Sequence, residues 1–185
     1  MIRFRAPRTL VASATCALAA AVLLPSPAAG SSAYYQGQGL FEKSDRVWTA
    51  TGGAGGSVTY STSNGSPAQQ WSVVQASGRP AGQVNYINRN TGLCMDVDKS
   101  GPNQGHTIGA RVIQQECSGT LSQVWELRTD WDPFFKKAYA VQNKLSLYSL
   151  TVKGGSEADG AALVQEDLLG GWGGYHQFWY INPVS

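Results

Sequence analysis

The sequence predicts an all-β fold in which three similar units share one core, and three observations support this class. A Gln-x-Trp motif followed two places on by an aliphatic residue occurs three times, at two intervals of 54 residues. The chain contains short β-rich runs separated by Gly, Asn, Asp and Ser, without a sustained helical period. Apolar residues alternate in several of these runs. The motif residues are Gln69, Trp71 and Val73; Gln123, Trp125 and Leu127; and Gln177, Trp179 and Ile181.

The three copies define a first, a middle and a third repeat, named here after Trp71, Trp125 and Trp179. Because residues two apart in a strand point to the same face, we expect each Gln, Trp and aliphatic residue to face a common core. A buried Gln has to be hydrogen-bonded, and backbone in a neighbouring turn is the expected partner. Since no unit could bury its Trp alone, the repeats imply a pseudo-threefold closure of about twelve short strands.

Six runs carry the clearest strand signal. Asp132-Pro133 is suited to cap one helical turn before Ala138, and we expect little other helix. The predicted strands are Val58–Ser63, Trp71–Gln75, Val84–Asn88, Val124–Thr129, Ala138–Asn143 and Phe178–Asn182.

The first residues have the three-part build of a secretory signal peptide. Three arginines precede an apolar stretch over residues 10–24, and the small-residue segment PSPAAGSSA follows. This apolar run is too short to span a bilayer comfortably. We therefore expect residues 1–31 to be a signal peptide, cleaved between Ala29 and Ala33, and residues 32–185 to be one secreted domain. A domain of about 155 residues is long enough to bury a sizeable core.

Charge excludes two classes of partner. Removing the three leader arginines from the 14 basic residues leaves 11 against 12 acidic ones, a formal charge of −1. We therefore predict no binding to nucleic acid and no membrane insertion.

Cysteine usage agrees with export. Cys16 lies in the leader, and a lipid anchor at Cys16 is the rival interpretation, which the long apolar continuation after it disfavours. Cys94 and Cys117 remain, and an even pair in an exported chain predicts a disulfide, which would stabilise the fold by roughly 3 kcal/mol. Two cysteines and two distant histidines do not make a metal site, so we predict neither a metal nor another cofactor.

Three stretches of the middle repeat, NRNTGLCMDV, GARVIQQEC and SGTLSQVW, resemble one complete repeat of the ricin B-chain-type lectin family. The third repeat is similar through SLTVKGGSEADGAALVQEDL. The resemblance is strong over residues 83–127, fair over 138–182, and poor before Ser66 apart from the Gln-x-Trp motif. It implies a β-trefoil of three Gln-x-Trp units, each able to bear a shallow sugar site.

In the middle repeat the resemblance implies a carbohydrate site that is half intact. Asp96 corresponds to the aspartate that accepts hydrogen bonds from two neighbouring sugar hydroxyls, and Gln123 to the glutamine that orients it. Gln115 stands where the family has an aromatic platform, and Ser122 where it has an asparagine. A carboxylate can still bind paired hydroxyls without a platform, but the apolar stacking contribution is lost.

The other two repeats depart further from the family pattern. In the third repeat Thr151 replaces the aspartate, Glu166 the platform and Leu168 the second cysteine. The insertion LGGWGGYH offers Trp172 and Tyr175 as substitute sugar contacts on a glycine loop. The first repeat shows no recognisable counterpart of the aspartate, although it has Trp48 and Tyr60 for packing.

The predicted function is binding of galactoside- or xylan-like glycans by a monomer, without catalysis. No nucleophile, metalloprotease or phosphate-loop motif is present, and His106 and His176 have no suggestive neighbours. Asp96 and Asp98 could imitate a glycosidase pair, but they are too close in sequence for that interpretation. Two alternatives remain: Asp96 bonds turn backbone only, or the trefoil has lost sugar binding and acts as a protein-interaction or inhibitor domain.

Overall fold

The computed structural model describes residues 33–40, 45–129, 138–169 and 171–184, without the side chains of 171–173. The expected signal peptide over residues 1–31 therefore lies outside the described residues. The same holds for the helical turn expected at Asp132-Pro133 and for the Trp172 side chain.

Twelve β-strands make up the described chain, so the predicted all-β class and strand number are confirmed. Four strands fall in each repeat. The first repeat contains β1 (Tyr34–Gly39), β2 (Arg46–Ala50), β3 (Val58–Thr62) and β4 (Trp71–Gln75). The middle repeat contains β5 (Gln83–Asn88), β6 (Cys94–Val97), β7 (Val112–Gln115) and β8 (Trp125–Arg128). The third contains β9 (Tyr139–Asn143), β10 (Ser149–Val152), β11 (Ala161–Glu166) and β12 (Phe178–Val184).

The strands form a closed ring with three hairpins on one side of it. The outer strands of each repeat pair in the cyclic order β1, β4, β5, β8, β9, β12 and back to β1. The inner strands form the hairpins β2–β3, β6–β7 and β10–β11. Strand β11 pairs with β3, and isolated bridges join Ser57 to Ile113 and Arg111 to Val164, so neighbouring hairpins are linked. This is the expected pseudo-threefold trefoil.

The three motif tryptophans lie in one core, as the sequence predicts. Trp71, Trp125 and Trp179 are almost completely buried. The indole Nε1 of each donates a hydrogen bond to a buried-strand carbonyl, at 3.2 Å for Trp71 and 3.1 Å for the other two. The acceptors are the backbone oxygens of Trp48, Met95 and Leu150, respectively. Equivalent bonds in all three repeats indicate equivalent geometry.

The motif glutamines do not lie in strands, which corrects the prediction that Gln, Trp and the aliphatic residue share one strand. Each Gln ends a 3-10 turn before the Trp strand begins; the turns are Pro67–Gln69, Leu121–Gln123 and Gly171–Gln177. The turn forms because backbone N–H groups bond carbonyls three residues back, as from Gln69 to Ser66. The glutamines are nevertheless buried. The aliphatic residues are only partly buried against the core.

The first repeat fills its part of the core with aromatic rings. Trp48 lies edge-to-face with Trp179 at 5.3 Å, and Tyr60 with Trp179 at 5.8 Å between ring centroids. Strand β1 has glycine where it passes these rings. A Cβ at Gly37 would overlap the Trp48 indole, and one at Gly39 would overlap the Tyr60 hydroxyl. The two glycines therefore make room for the larger side chains.

The predicted disulfide is present between Cys94, which begins β6, and Cys117, just after β7. Their Cα atoms are 5.1 Å apart. The bond closes the hairpin on which the candidate sugar site is built. Within the described ranges, no helix has the length and apolar character needed to cross a membrane.

Candidate functional site

The buried motif glutamines identify three equivalent positions, one on the first inner strand of each repeat. Each Gln Nε2 donates to one polar side chain on that strand. The pairs are Gln69 with Thr49 at 3.1 Å, Gln123 with Asp96 at 2.9 Å and Gln177 with Thr151 at 3.0 Å. Only the middle repeat has a carboxylate at this position.

Gln123 uses both ends of its amide. Nε2 donates to Asp96 Oδ2 at 2.9 Å and to the Glu116 carbonyl at 2.8 Å. Oε1 accepts from the backbone N–H of Ser118 at 2.8 Å. The expected bonding to backbone in a neighbouring turn is therefore confirmed. The amide fixes Asp96 relative to the loop after the disulfide.

Asp96 has one bonded and one unbonded carboxylate oxygen. The residue is only 1% exposed, and Oδ2 is held by Gln123. Oδ1 is buried, and among the described residues it has no hydrogen-bond partner. The observed bond goes to a side chain, so the alternative in which Asp96 bonds turn backbone is not what the structure shows. A buried acceptor without a donor is costly unless something supplies one.

Two cations lie near β6, but they have different partners. Lys99 Nζ is 3.8 Å from Asp96 Oδ2, and its side chain is 40% exposed. Arg111 donates to Asp98 Oδ2 at 2.6 Å. The N–H of Ser100 and the Arg111 guanidinium together hold the pKa of Asp98 below its usual value. Because Asp98 is paired with Arg111 and Asp96 with Gln123, the two carboxylates do not act as a matched pair.

The remaining predicted residues of the middle site have different surroundings. Gln115 is half-buried at the end of β7, opposite Cys94. Ser122 is buried, with Oγ 3.1 Å from Thr120 Oγ1 and its carbonyl accepting a hydrogen bond from Asn143 Nδ2 at 2.8 Å. Gln115 therefore lies on the same hairpin as Asp96, while Ser122 is held by hydrogen bonds to its neighbours. Within the described ranges, no group of three or more His, Cys, Asp or Glu side chains could hold a metal ion.

In the third repeat the hydroxyl that replaces the carboxylate is fully engaged. Thr151 Oγ1 accepts from Gln177 at 3.0 Å and donates to the Ser149 carbonyl at 2.9 Å. Glu166, at the platform position, lies opposite Ser149 on β11. Tyr175 is half-buried and packs against a second apolar cluster that includes Phe178. These contacts give Tyr175 a packing role. The Trp172 side chain lies outside the described part of the structure.

Sequence reasoning missed Thr49, and it considered His176 only as a candidate catalytic residue. Thr49 is the first-repeat counterpart of Asp96. Its sequence signal is a threonine between two apolar residues at positions 48–50, which matches residues 150–152. His176 precedes Gln177 as Ser122 precedes Gln123, and it is half-buried. Burial lowers the pKa of His176, and the nearby Glu166 partly opposes that shift. His106 is exposed in its loop.

Comparison with known families supports the same fold. A family model described as a ricin-type beta-trefoil lectin domain-like family matches residues 67–166, more than half of the chain. The comparison with curated proteins found no match.

Among solved structures, the chain is similar to ThreeFoil, a designed threefold symmetric protein, with a TM-score of 0.69 and 25% identity. That match covers 82% of this chain and 99% of the design. A ricin B-like lectin of Macrolepiota procera in complex with lactose gives a TM-score of 0.60 at 17% identity, covering 84% and 99%. An exo-beta-1,3-galactanase of Clostridium thermocellum gives 0.68 at 22% identity, covering 84% of this chain and 31% of the enzyme.

Proposed function

The chain belongs to the ricin-type beta-trefoil lectin domain-like family, and on that premise we propose that it is a secreted, monomeric glycan-binding protein without catalytic activity. The proposed site is in the middle repeat, where Asp96 accepts hydrogen bonds from sugar hydroxyls and Gln123 fixes the carboxylate. One observation carries the proposal: Asp96 Oδ1 is buried and without a donor among the described residues.

The chemistry of this oxygen suits a hydroxyl. A carboxylate has about four lone-pair positions, and Gln123 occupies one of them. Hydrogen bonds to charged acceptors contribute about 1.5–3 kcal/mol each. Asp96 is 1% exposed, and the exposed Lys99 lies 3.8 Å from its Oδ2, so the proposal requires an entering hydroxyl to displace the Lys99 side chain. A single shallow site of this kind should have a dissociation constant near 1 mM, about −4 kcal/mol.

The proposed ligands are galactoside- or xylan-like glycans. Support comes from the family and from neighbours whose names include lactose binding and galactan hydrolysis. The loss of the platform at Gln115 and of the amide at Ser122 predicts weaker binding than a complete site would give. Trp172 and Tyr175 of the third repeat are proposed as secondary contacts at most.

The test is isothermal titration or affinity electrophoresis with galactosides and xylan. Asp96→Ala should weaken binding by about ten- to a hundredfold, the equivalent of about 1.5–3 kcal/mol. Thr151→Ala is the matched control, because it removes the equivalent partner of Gln177 and should leave binding unchanged. Circular dichroism checks that both variants fold. Binding that survives Asp96→Ala would refute the middle-repeat site.

The second candidate function is a protein-interaction or inhibitor domain. The observation in its favour is that Asp96 is nearly inaccessible while the platform and amide positions hold Gln115 and Ser122. A glycan array on the mature protein separates the two functions. Binding to no glycan on the array would favour the protein-interaction function.

A further inference from the structure

The middle repeat places a cation beside the carboxylate of its proposed sugar site. Lys99 Nζ and Asp96 Oδ2 are 3.8 Å apart, which is too long for a hydrogen bond. The Lys99 side chain is 40% exposed, whereas Asp96 is 1% exposed. The ammonium group therefore keeps its donors available at the surface, directly next to a buried acceptor.

The loop that carries Lys99 is held in place by its neighbours. The N–H of Asp98 donates to the Arg111 carbonyl at 2.8 Å, and the Asp98 carboxylate pairs with the Arg111 side chain at 2.6 Å. The Lys99 Cγ lies beside Gly105, where an added Cβ would approach it to 3.2 Å. Arg111 is thus engaged with Asp98, while Lys99 has its charge directed toward the site.

The lysine and the carboxylate are present together in the middle repeat and are both absent from the equivalent positions of the other two. The positions equivalent to Asp96 are Thr49 and Thr151, and the residues three places after them are Gly52 and Gly154. The repeats without the carboxylate also lack the lysine. The middle repeat is therefore the one that combines an unbonded acceptor with an adjacent positive charge.

We propose that Lys99 is a specificity-determining residue that makes this site prefer acidic glycans, sugars in which a carboxylate lies next to a free hydroxyl. The hydroxyl donates to Asp96, and the sugar carboxylate takes over the ammonium group that Asp96 attracts in the free protein. A neutral sugar gives Lys99 no new counter-ion, so it displaces the lysine at a net loss. This inference rests on the proposed sugar site at Asp96 and adds the class of sugar.

The experiment is an NMR titration of the mature protein with two matched ligand pairs at low ionic strength. One pair is methyl galactoside and methyl galactosiduronate, and the other is methyl xyloside and methyl glucuronide. The wild type should bind the acidic member of a pair about two- to fivefold more tightly, the range that exposed ion pairs give. Lys99→Met should reverse the preference, because Asp96 then repels the sugar carboxylate. Salt at about 1 M should reduce the wild-type preference.

Lys153→Met is the matched control, because Lys153 is an exposed lysine two residues after Thr151 in the third repeat. It changes the net charge equally and should keep the preference for the acidic sugar. If Asp96→Ala abolishes binding while the acidic-to-neutral ratio is the same in wild type and Lys99→Met, the inference about Lys99 is overturned and the site stands. If the wild type binds none of the four ligands, the proposed function falls and the inference with it.

Discussion

The motif glutamines of the middle and third repeats make the same hydrogen bonds to backbone but bond different side chains. Gln123 and Gln177 each donate to a carbonyl in the loop after the hairpin, and each accepts a backbone N–H. The second amide donor reaches Asp96 in one repeat and Thr151 in the other. The backbone bonds of the glutamine are therefore the same in both repeats, and the side chain on the first inner strand differs.

The difference lies in what remains after the shared bonds are made. Thr151 Oγ1 accepts from Gln177 and donates to the Ser149 carbonyl, so its hydroxyl proton is already in use. Asp96 accepts one bond through Oδ2, and its Oδ1 has no donor among the described residues. The same scaffold thus supports a self-sufficient threonine or a carboxylate that needs an outside donor. The two repeats therefore differ in their capacity to bind a hydroxyl because of one side chain, Asp96 or Thr151, while the backbone around it is the same.

The largest expected effect concerns the disulfide, which only the middle repeat has among the described residues. Cys94→Ser with Cys117→Leu gives it the residues that the third repeat has, Ser149 and Leu168. The free energy of unfolding should fall by about 3 kcal/mol, because the unfolded chain regains the entropy of an open loop. Guanidinium denaturation measures this. Reductant should lower the stability of wild type by a similar amount and leave the variant unchanged; a loss below about 1 kcal/mol would contradict the assignment.

Next in size is the conversion of the middle repeat into one like the third by Asp96→Thr. The hydroxyl should keep the bond to Gln123 and donate to the Cys94 carbonyl, as Thr151 does with Ser149. We expect stability at least equal to wild type and sugar binding reduced about tenfold or more, since the charged acceptor is lost. Denaturation and titration on the same preparation check both. If the free energy of unfolding of Asp96→Thr were clearly lower than that of wild type, Asp96 would be needed for stability and the prediction would be wrong.

A smaller effect is expected at the turn between the first two strands of the middle and third repeats. Gly92 has φ +70 and Leu147 has φ +66, although leucine avoids this left-handed region. Leu147 is also 60% exposed, so burial does not offset the strain. Leu147→Asn should raise the free energy of unfolding by about 0.5–1 kcal/mol, because asparagine tolerates the conformation better. Leu147→Ala is the control with equal backbone strain and should show no such gain.

The smallest effect is a pH dependence that belongs to the third repeat. Burial lowers the pKa of His176 from its usual 6.5, so the folded state favours the neutral ring. Below pH 6.5 the unfolded chain binds a proton more readily, and this contribution to stability is therefore present above that pH and lost as pH falls through it. His176→Gln should flatten thermal stability between about pH 7 and 5. The middle repeat has Ser122 at this position and therefore contributes no such pH dependence. A His176→Gln variant with the same pH profile as wild type would contradict the assignment to His176.

The sequence predicts the fold well because the signals that define it are local and repeated. The three tryptophans at equal spacing give the number of units, and the alternation in runs such as Trp71–Gln75 gives strands that the structure confirms. A spacing of two suits a strand, so the sequence predicts that the glutamines lie on the strands. The structure puts them in 3-10 turns, since that geometry lets one amide reach both a strand and a loop.

The site was predictable only in part. Asp96 and Gln123 are identified by the family motif, and the structure shows that they are bonded to each other. Thr49 was missed because the loops of the first repeat are shorter: it precedes its glutamine by 20 residues, compared with 27 for Asp96. The proximity of Lys99 to Asp96 depends on how the chain turns after β6, and no motif specifies that turn.

The pairing of β1 with β12 also has a consequence for the order of folding. The ring closes through an antiparallel ladder that runs from Tyr34 opposite Val184 to Gly39 opposite Trp179. The last tryptophan of the core therefore reaches its neighbours only after the final strand has been synthesised. Contacts between such distant segments form slowly, because a long loop has to close first. Until β12 pairs with β1 the ring stays open, and the core lacks Trp179.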